Sequence, residues 1–361
     1  MELIHADMAE TAVIIPNYNG LKFMDKCIRA LMRQTYRDFR VIVVDNGSDD
    51  GSAVYLKELE DSDNGLDICC LFLKENTGFS GAVNAGIDKA AGSRDIVLLN
   101  NDTEAEPDYL KELIRPFEED REERIAAVTP MMIKMFEPDL LDDAGDGYNL
   151  FGWAFQRGVG QPVITRAFNK PSEVFSACAG AAAYRLSALD EIKLWDAEGA
   201  GAYFDPMHFA YLEDVDVSFR LRARGYRIVY APDSRVLHVG SGTSGSRYND
   251  FKVRLAARNN IYLNYKNMPV IMLLINLPWI AAGMVIKQLF FLKAGFGRAY
   301  LSGVSEGLST VGKCRKNKTF FKAARLMTYI RIELMLIADT FFYIRDFVIR
   351  QKNKLVKRGR S

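Results

Sequence analysis

Three carboxylates in four residues, followed at a distance by an imidazole, are the side chains of this sequence best suited to chemistry. Tyr211-Leu212-Glu213-Asp214-Val215-Asp216 holds the carboxylates, and His238, one of three histidines, ends the strand-like run 234–237. A carboxylate so placed can take a proton from a hydroxyl, and an imidazole can ligate a metal. Leu98-Leu99-Asn100-Asn101-Asp102 sets a further carboxylate just outside an apolar strand. With His238, phosphate oxygens and water, Asp102 makes a shell acceptable to Mg²⁺ or Mn²⁺. Asp45 ends another apolar run and is followed by Asn46-Gly47-Ser48-Asp49-Asp50-Gly51-Ser52. Helix capping alone accounts for Ser48, Asp49, Asp102 and the 213–216 cluster, but not for a carboxylate at the last strand position. Neither GxGxxG nor GxxxxGK[ST] occurs, which counts against a dinucleotide site and a P-loop.

The elements that must position these groups alternate. Apolar runs at 11–15, 40–44, 68–73 and 96–99 each end in a polar turn and lead into a helical pattern. In the first helix, 21–34, Cys27, Ile28, Leu31 and Met32 face inward. Buried strands alternating with helices predict a mostly parallel sheet in three layers, with ligands at the carboxyl ends of the strands. From 125 to about 184 the pattern loosens into glycines, aromatics and short strands, as suits a pocket wall. The loop 240–246 reads as a mobile lid or as a linker.

Charge divides the 361 residues unevenly. Residues 250–361 hold 21 Lys/Arg against 5 Asp/Glu, net +16, leaving 26 against 41, net −15, for 1–249. The expected division is therefore a catalytic domain at 1–249 and a basic, apolar helical tail at 250–361. The tail's companions are Leu, Ile, Met and Phe, which favours an anionic membrane surface over nucleic acid. The run 270–286 is uncharged but short for a span. Over 326–349 the charged residues Arg331, Asp339, Arg345, Asp346 and Arg350 gather on one face, the pattern of a helix lying in a membrane interface or packed on a second subunit. Residues 1–10 carry no secretory pattern, and five cysteines without CxxC spacing suit a reducing compartment. The expected location is the cytoplasmic face of the cell membrane.

Five motifs in order over 11–240 resemble family 2 of the glycosyltransferases, most closely the bacterial rhamnosyltransferase-like members. They are Ile14-Ile15-Pro16-Asn17-Tyr18-Asn19-Gly20, the 45–52 turn, Asn76-Thr77-Gly78-Phe79-Ser80-Gly81 with Asn84 and Gly86, Leu99-Asn100-Asn101-Asp102, and Phe204-Asp205 through Asp214 to Arg222, Gly225-Tyr226 and His238. The resemblance implies a GT-A fold, an inverting mechanism, and transfer of rhamnose or a similar sugar from a dTDP- or UDP-sugar to a glycan, in cell-surface polysaccharide synthesis. By position it makes Asp214 the base, Asp45 the acceptor for the pyrimidine N3–H, and Pro16 and Asn17 the lining of the base pocket. Asn76, Gly78 and Asn101 join them on the donor side, and Arg258 is a candidate phosphate contact. Asp102 and His238 would hold Mg²⁺ or Mn²⁺, while Glu213 and Asp216 orient the loop and helix. Asn100 stands where the family's DxD motif begins with Asp, which removes one charge from the metal site. A polyprenyl-linked glycan acceptor would explain the tail, and a homo-oligomer would use the same apolar faces. The rivals are a sugar nucleotidyltransferase, whose G-x-G-T-R-like loop is missing after the first strand, and a non-catalytic membrane-associated scaffold of the same fold.

Overall fold

A computed structural model describes residues 9–196, 198–240, 248–314 and 326–358, with side chains as far as 351. The strands are β1 (Thr11–Asn17), β2 (Phe39–Asp45), β3 (Ile68–Phe72), β4 (Asp95–Leu98), β5 (Thr103–Ala105), β6 (Ile125–Lys134), β7 (Leu141–Asp143), β8 (Asp146–Tyr148), β9 (Ala154–Gln156), β10 (Ser172–Glu173), β11 (Ala183–Arg185), β12 (Leu194–Trp195), β13 (Gly201–Ala202) and β14 (Arg227–His238). The helices are α1 (Leu21–Met32), α2 (Ser52–Asp61), α3 (Gly78–Lys89), α4 (Tyr109–Glu119), α5 (Leu186–Glu191), α6 (Glu213–Arg224), α7 (Asp250–Asn267), α8 (Val270–Lys293), α9 (Gly297–Thr310) and α10 (Leu326–Arg358).

The main sheet runs β10-β14-β6-β11-β4-β1-β2-β3, with β5 paired to β14 and β7 to β6. Alternate residues of β1 face opposite layers. Val13 and Ile15 pack with Met24, Cys27 and Ile28 of α1, Leu56 of α2 and Leu110 of α4. Ala12 and Ile14 pack with Val83 of α3, Leu189 of α5 and Leu221 of α6. The expected three layers are present. Pairing is parallel across β3-β2-β1-β4 and between β6 and β14, while β11 runs antiparallel to both its neighbours.

The region expected to hold only short strands contains the ten-residue β6, buried at eight positions. Pro130 lies inside it, and β14 slips register opposite, between Ala231 and Arg235. Such a bulge is where a sheet accommodates proline.

Packing does not change at residue 249. Asn259, Asn260, Asn264, Lys266 and Asn267 of α7 are buried, and one apolar cluster joins Tyr148, Phe175, Val215 and Phe219 to Leu263, Met272, Ile280, Ile332 and Leu336. α8 extends beyond the uncharged run to 24 residues and passes through Pro278. Among the described helices it alone is long and apolar enough to cross a membrane, by length and composition. It lies against the body through Met272, Asn276, Ile280 and Gly283, with Asn276 Nδ2 donating to Glu333 of α10 at 2.8 Å.

α10 meets the body through polar groups as well as through Ile332 and Leu336. Tyr148 N–H donates to Asp339 at 2.9 Å, Leu150 N–H donates to Thr340 Oγ1 at 3.0 Å, and Gln161 donates to Asp346. Leu334, Phe341, Ile344 and Val348 are exposed, as are Ile271, Leu274, Ile275 and Leu289 of α8. Residues 241–246 of the expected lid lie outside the described residues, as do the side chains of Lys352, Lys354, Lys357, Arg358 and Arg360.

Candidate active site

The parallel register of β1 and β2 puts Asn17 beside Asp45 at the carboxyl edge. Asn17 Nδ2 donates to Asp45 Oδ1 at 2.9 Å and to Ser48 Oγ at 3.2 Å, and its Oδ1 accepts from Asn101 Nδ2 at 2.6 Å. Ser48 N–H reaches Asp45 Oδ2 at 3.3 Å. Asp45 is 2% exposed, and its two oxygens keep lone pairs beyond these bonds. Pro16 is tolerated inside β1 because Ile14, two residues earlier, accepts from Leu99 just past the end of β4. Its missing N–H therefore faces a side where the neighbouring strand has stopped. A side chain at Gly20 would collide with Asn101 and Asn17, so the net needs glycine there.

A second net holds the next two turns. Asn46 Nδ2 donates to Asn76 Oδ1 and Gly78 O, both at 3.0 Å, and Asn46 Oδ1 accepts from Thr77 N–H. Gly78 has φ +75° and backs onto Phe209, which no other residue would allow without movement. Ser80 N–H donates to Phe209 O at 3.1 Å, so this turn touches the loop that leads to Asp214.

Further along the sheet, β5 pairs antiparallel with β14, Thr103 opposite His238, which brings Asp102 to the histidine. His238 Nε2 lies 3.5 Å from Asp102 Oδ1 and Nδ1 lies 2.7 Å from Asp142 Oδ2. Burial alone would lower its pKa, but the bonds to Asp102 and Asp142 raise it to about 10. Nε2 and Asp102 on one edge of the ring offer a nitrogen and an oxygen to a divalent cation such as Mn²⁺, while Asp142, at Nδ1 on the other edge, fixes the ring's orientation. Asp102 and His238 thus fit the metal that the sequence implied, which would replace the imidazole proton facing Asp102, and Asp142 is added behind the ring. A cleft of about 160 Å³ opens beside them, lined among others by Lys22, Lys26, Asn101, Asp102 and Glu104.

Asp214 begins α6 half-buried. Its Oδ1 accepts from Val215 N–H at 2.8 Å and its Oδ2 from Ala179 N–H at 3.3 Å. Burial raises its pKa and those amides pull part of the shift back, a balance that suits a proton acceptor. Glu213 is buried, and burial beside Asp214 raises it well above the usual range. Asp216 moves the other way. Despite burial, Lys266 at 3.1 Å and Arg220 at 3.0 Å hold it ionised, with Asn267 Nδ2 donating at 2.7 Å. Lys266 also pairs with Asp205.

The loop before Asp214 is strained. Phe209 has φ 62° and ψ −63°, the centre of a γ-turn closed by Ala210 N–H to His208 O at 2.7 Å, a rare form. Tyr211 and Leu212 follow at φ 72° and 66°. Such residues cost about 1–3 kcal/mol each and persist only where the surroundings over-determine them. Arg258, expected at a phosphate, instead donates to the carbonyls of Met207 and His208 at 3.0 Å and pairs with Glu306 at 3.0 Å.

The sequence reading missed Asp142, Asp143, Asp146 and Cys178. Ligating atoms of the last three lie within 4.8 Å of one another, next to the Ala179 amide that binds Asp214. Burial and neighbouring carboxylates raise Asp143 to about 8 and Asp146 well above its ordinary value. Either this set or Asp102 with His238 would have to release protons to take a cation, since His238 too is held protonated, by Asp102 and Asp142. The sequence signal of the missed set was the acidic doublet and single Asp spaced by glycine in Leu141-Asp142-Asp143-Ala144-Gly145-Asp146.

A three-layer α/β sheet carrying an Asn–Asp net at one strand edge and a carboxylate–imidazole group beside it defines a GT-A nucleotide-sugar transferase fold. Residues 12–193, half of the chain, match Glycosyl transferase family 2, and the chain belongs to that family. GlyA of Streptococcus pneumoniae is 32% identical over 104 residues, 28% of this chain and 14% of that protein. A putative teichuronic acid biosynthesis glycosyltransferase, TuaG of Bacillus subtilis, is 28% identical over 100 residues, 28% of this chain and 38% of its own length. The chain thus spans well under two thirds of these relatives. Among solved structures, GalNAc-T7 with UDP, GalNAc and Mn²⁺ superposes over 72% of this chain and 48% of its own, with a TM-score of 0.56 at 16% identity.

Proposed function

We propose that the protein is an inverting, metal-assisted glycosyltransferase that moves a sugar, rhamnose or similar, from a dTDP- or UDP-sugar to a lipid-linked glycan at the cytoplasmic membrane face, in cell-surface polysaccharide synthesis. The observation that carries this reading is the placement of Asp214, its pKa raised, on a strained loop that touches the turns of the Asn–Asp net. Asp45 accepts the pyrimidine N3–H, Pro16 and Asn17 line the base, and Asn76, Gly78 and Asn101 hold the turns around the donor. Asp214 takes the proton of the acceptor hydroxyl, whose oxygen then attacks the anomeric carbon from the face opposite the diphosphate, so the configuration inverts. Asp102 and His238, the imidazole oriented by Asp142, would hold Mg²⁺ or Mn²⁺, which supplies positive charge to the leaving diphosphate. Glu213 and Asp216 set the start of α6.

The exposed apolar faces of α8 and α10, beside the basic residues of the tail, support binding to an anionic membrane, where a polyprenyl-linked acceptor would be met. The test is release of nucleoside diphosphate from a panel of dTDP- and UDP-sugars, with and without Mn²⁺. One donor turned over faster than the rest supports the reading. Nucleotide binding without turnover of any donor would leave the scaffold alternative.

A further inference from the structure

We infer that Asn259 of α7 is the residue that positions the base, acting through the backbone of the 207–212 loop. The inference rests on the reading of Asp214 as base. The γ-turn at Phe209 and the left-handed residues after it turn three carbonyls toward α7. Asn259 Nδ2 lies 2.9 Å from His208 O, 2.8 Å from Ala210 O and 2.8 Å from Tyr211 O. An amide has two N–H groups, so three carbonyls share them. The orientation of that amide is fixed from behind, because Arg258 Nε donates to Asn259 Oδ1 at 3.0 Å.

Asn259 is fully buried. From the opposite side Ser80 N–H holds Phe209 O. The loop is thus gripped between the α3 turn and α7, and it ends at Leu212, whose left-handed φ of 66° sets the direction in which α6 starts. Asp214 is the second residue of that helix. The angle at which its carboxylate meets the Ala179 amide, and hence an acceptor hydroxyl, follows from three carbonyl bonds to one side chain. This places a determinant of the chemistry at 259, beyond the 12–193 segment that matches the family.

Asn259→Asp keeps the shape and removes the donor. In the full-length protein, turnover of the best dTDP- or UDP-sugar should fall on the order of 10²-fold, the cost of displacing a reacting group by about 1 Å, with KM and the calorimetric Kd for the nucleotide within about twofold of wild type. Backbone amides of 207–214 should exchange faster, while those of β1 and β2 do not. Combined with Asp214→Asn, the substitution should cost nothing further, because a group that acts through the base has nothing left to act on. If Asn259→Asp does not fold, Asn259→Ser, which retains one donor, is put through the same measurements.

Wild-type turnover in a folded variant, a loss of nucleotide affinity equal to the loss of turnover, or full additivity in the double variant would each overturn the inference. Wild-type turnover in Asp214→Asn would instead overturn the assignment of the base, whatever Asn259 does.

Discussion

The two ends of the site are held by different physics. At the nucleotide end, Asn17, Asp45, Asn101 and, one turn away, Asn46 and Asn76 are tied by hydrogen bonds between amides, a carboxylate and backbone. Each ends a strand or lies in the turn that follows one, within the first 101 residues. At the base end, the loop and helix around Asp214 are held by buried charge: Lys266 between Asp205 and Asp216, with Arg220 against Asp216. Those partners come from elements up to 61 residues apart in sequence. A cut bond at the first end leaves neutral amides, or Asp45 with its remaining donor Ser48 N–H, whereas at the second it breaks a buried ion pair. The first end should therefore lose affinity when altered, and the second should lose the fold.

The largest effect expected from this contrast is in Lys266→Met. Asp205 and Asp216 would lose their shared cation, Asp216 keeping only Arg220, at about 3–5 kcal/mol, and thermal melting should show it plainly. Melting unchanged within a degree would remove the buried charge as the brace.

His208 supplies a pH signature at the same end. It is fully buried, neither ring nitrogen has a partner among the described residues, and burial lowers its pKa to about 4, although Asp216 and Asp205 oppose the shift. Between pH 4 and 6.5 the unfolded chain binds a proton that the folded one does not. Stability is thus complete above about 6.5 and declines as pH falls toward 4, by on the order of 3 kcal/mol. His208→Gln should flatten that part of the curve in denaturant titrations, and an unchanged slope would assign it to other groups.

At the nucleotide end, Asp45→Ala should weaken binding of UDP or dTDP by about 1–3 kcal/mol, the cost of leaving the base N3–H unpaired, with little change in melting. Equal affinity by calorimetry would move the base pocket elsewhere.

The smallest effect concerns the outward faces. Phe341→Ser should weaken binding to anionic liposomes by about 1 kcal/mol, since one exposed ring is withdrawn from the interface. Added salt should weaken binding further without abolishing it, because screening reaches the Lys/Arg attraction and not apolar insertion. A protein that ignores liposomes and elutes as a stable oligomer would make these faces subunit contacts. Removing 320–361 is a poor substitute for point changes, because Ile332 and Leu336 belong to the apolar cluster around Phe219.

What was legible in the sequence follows the same division. The β/α alternation through residue 119 was readable because each strand is an apolar run closed by a polar turn, and that order alone places Asn17, Asp45 and Asn101 on one edge. The meeting of Asp102 with His238 was also readable, both lying at strand ends. Asp142 was not, because its approach to His238 depends on β7 pairing with β6, and β6, interrupted by Pro130, read as part of a region of short strands. Nor was α7, whose asparagines read as the surface of a basic tail until the carbonyls of a strained loop are seen beneath them. The outward apolar face of α10 was legible as a pattern, but its charged stripe divides: Asp339 and Asp346 turn to partners on the body, while Arg331 and Arg345 stay exposed.

The most direct measurement is the steady-state turnover of Asp214→Asn on the best nucleotide-sugar donor, with nucleotide affinity determined on the same preparation. Turnover should fall on the order of 10² to 10⁴-fold while UDP or dTDP binds as in wild type, the mark of a group that acts on the proton and not on the donor. Turnover within a few-fold of wild type would contradict Asp214 as the base and with it the proposed mechanism.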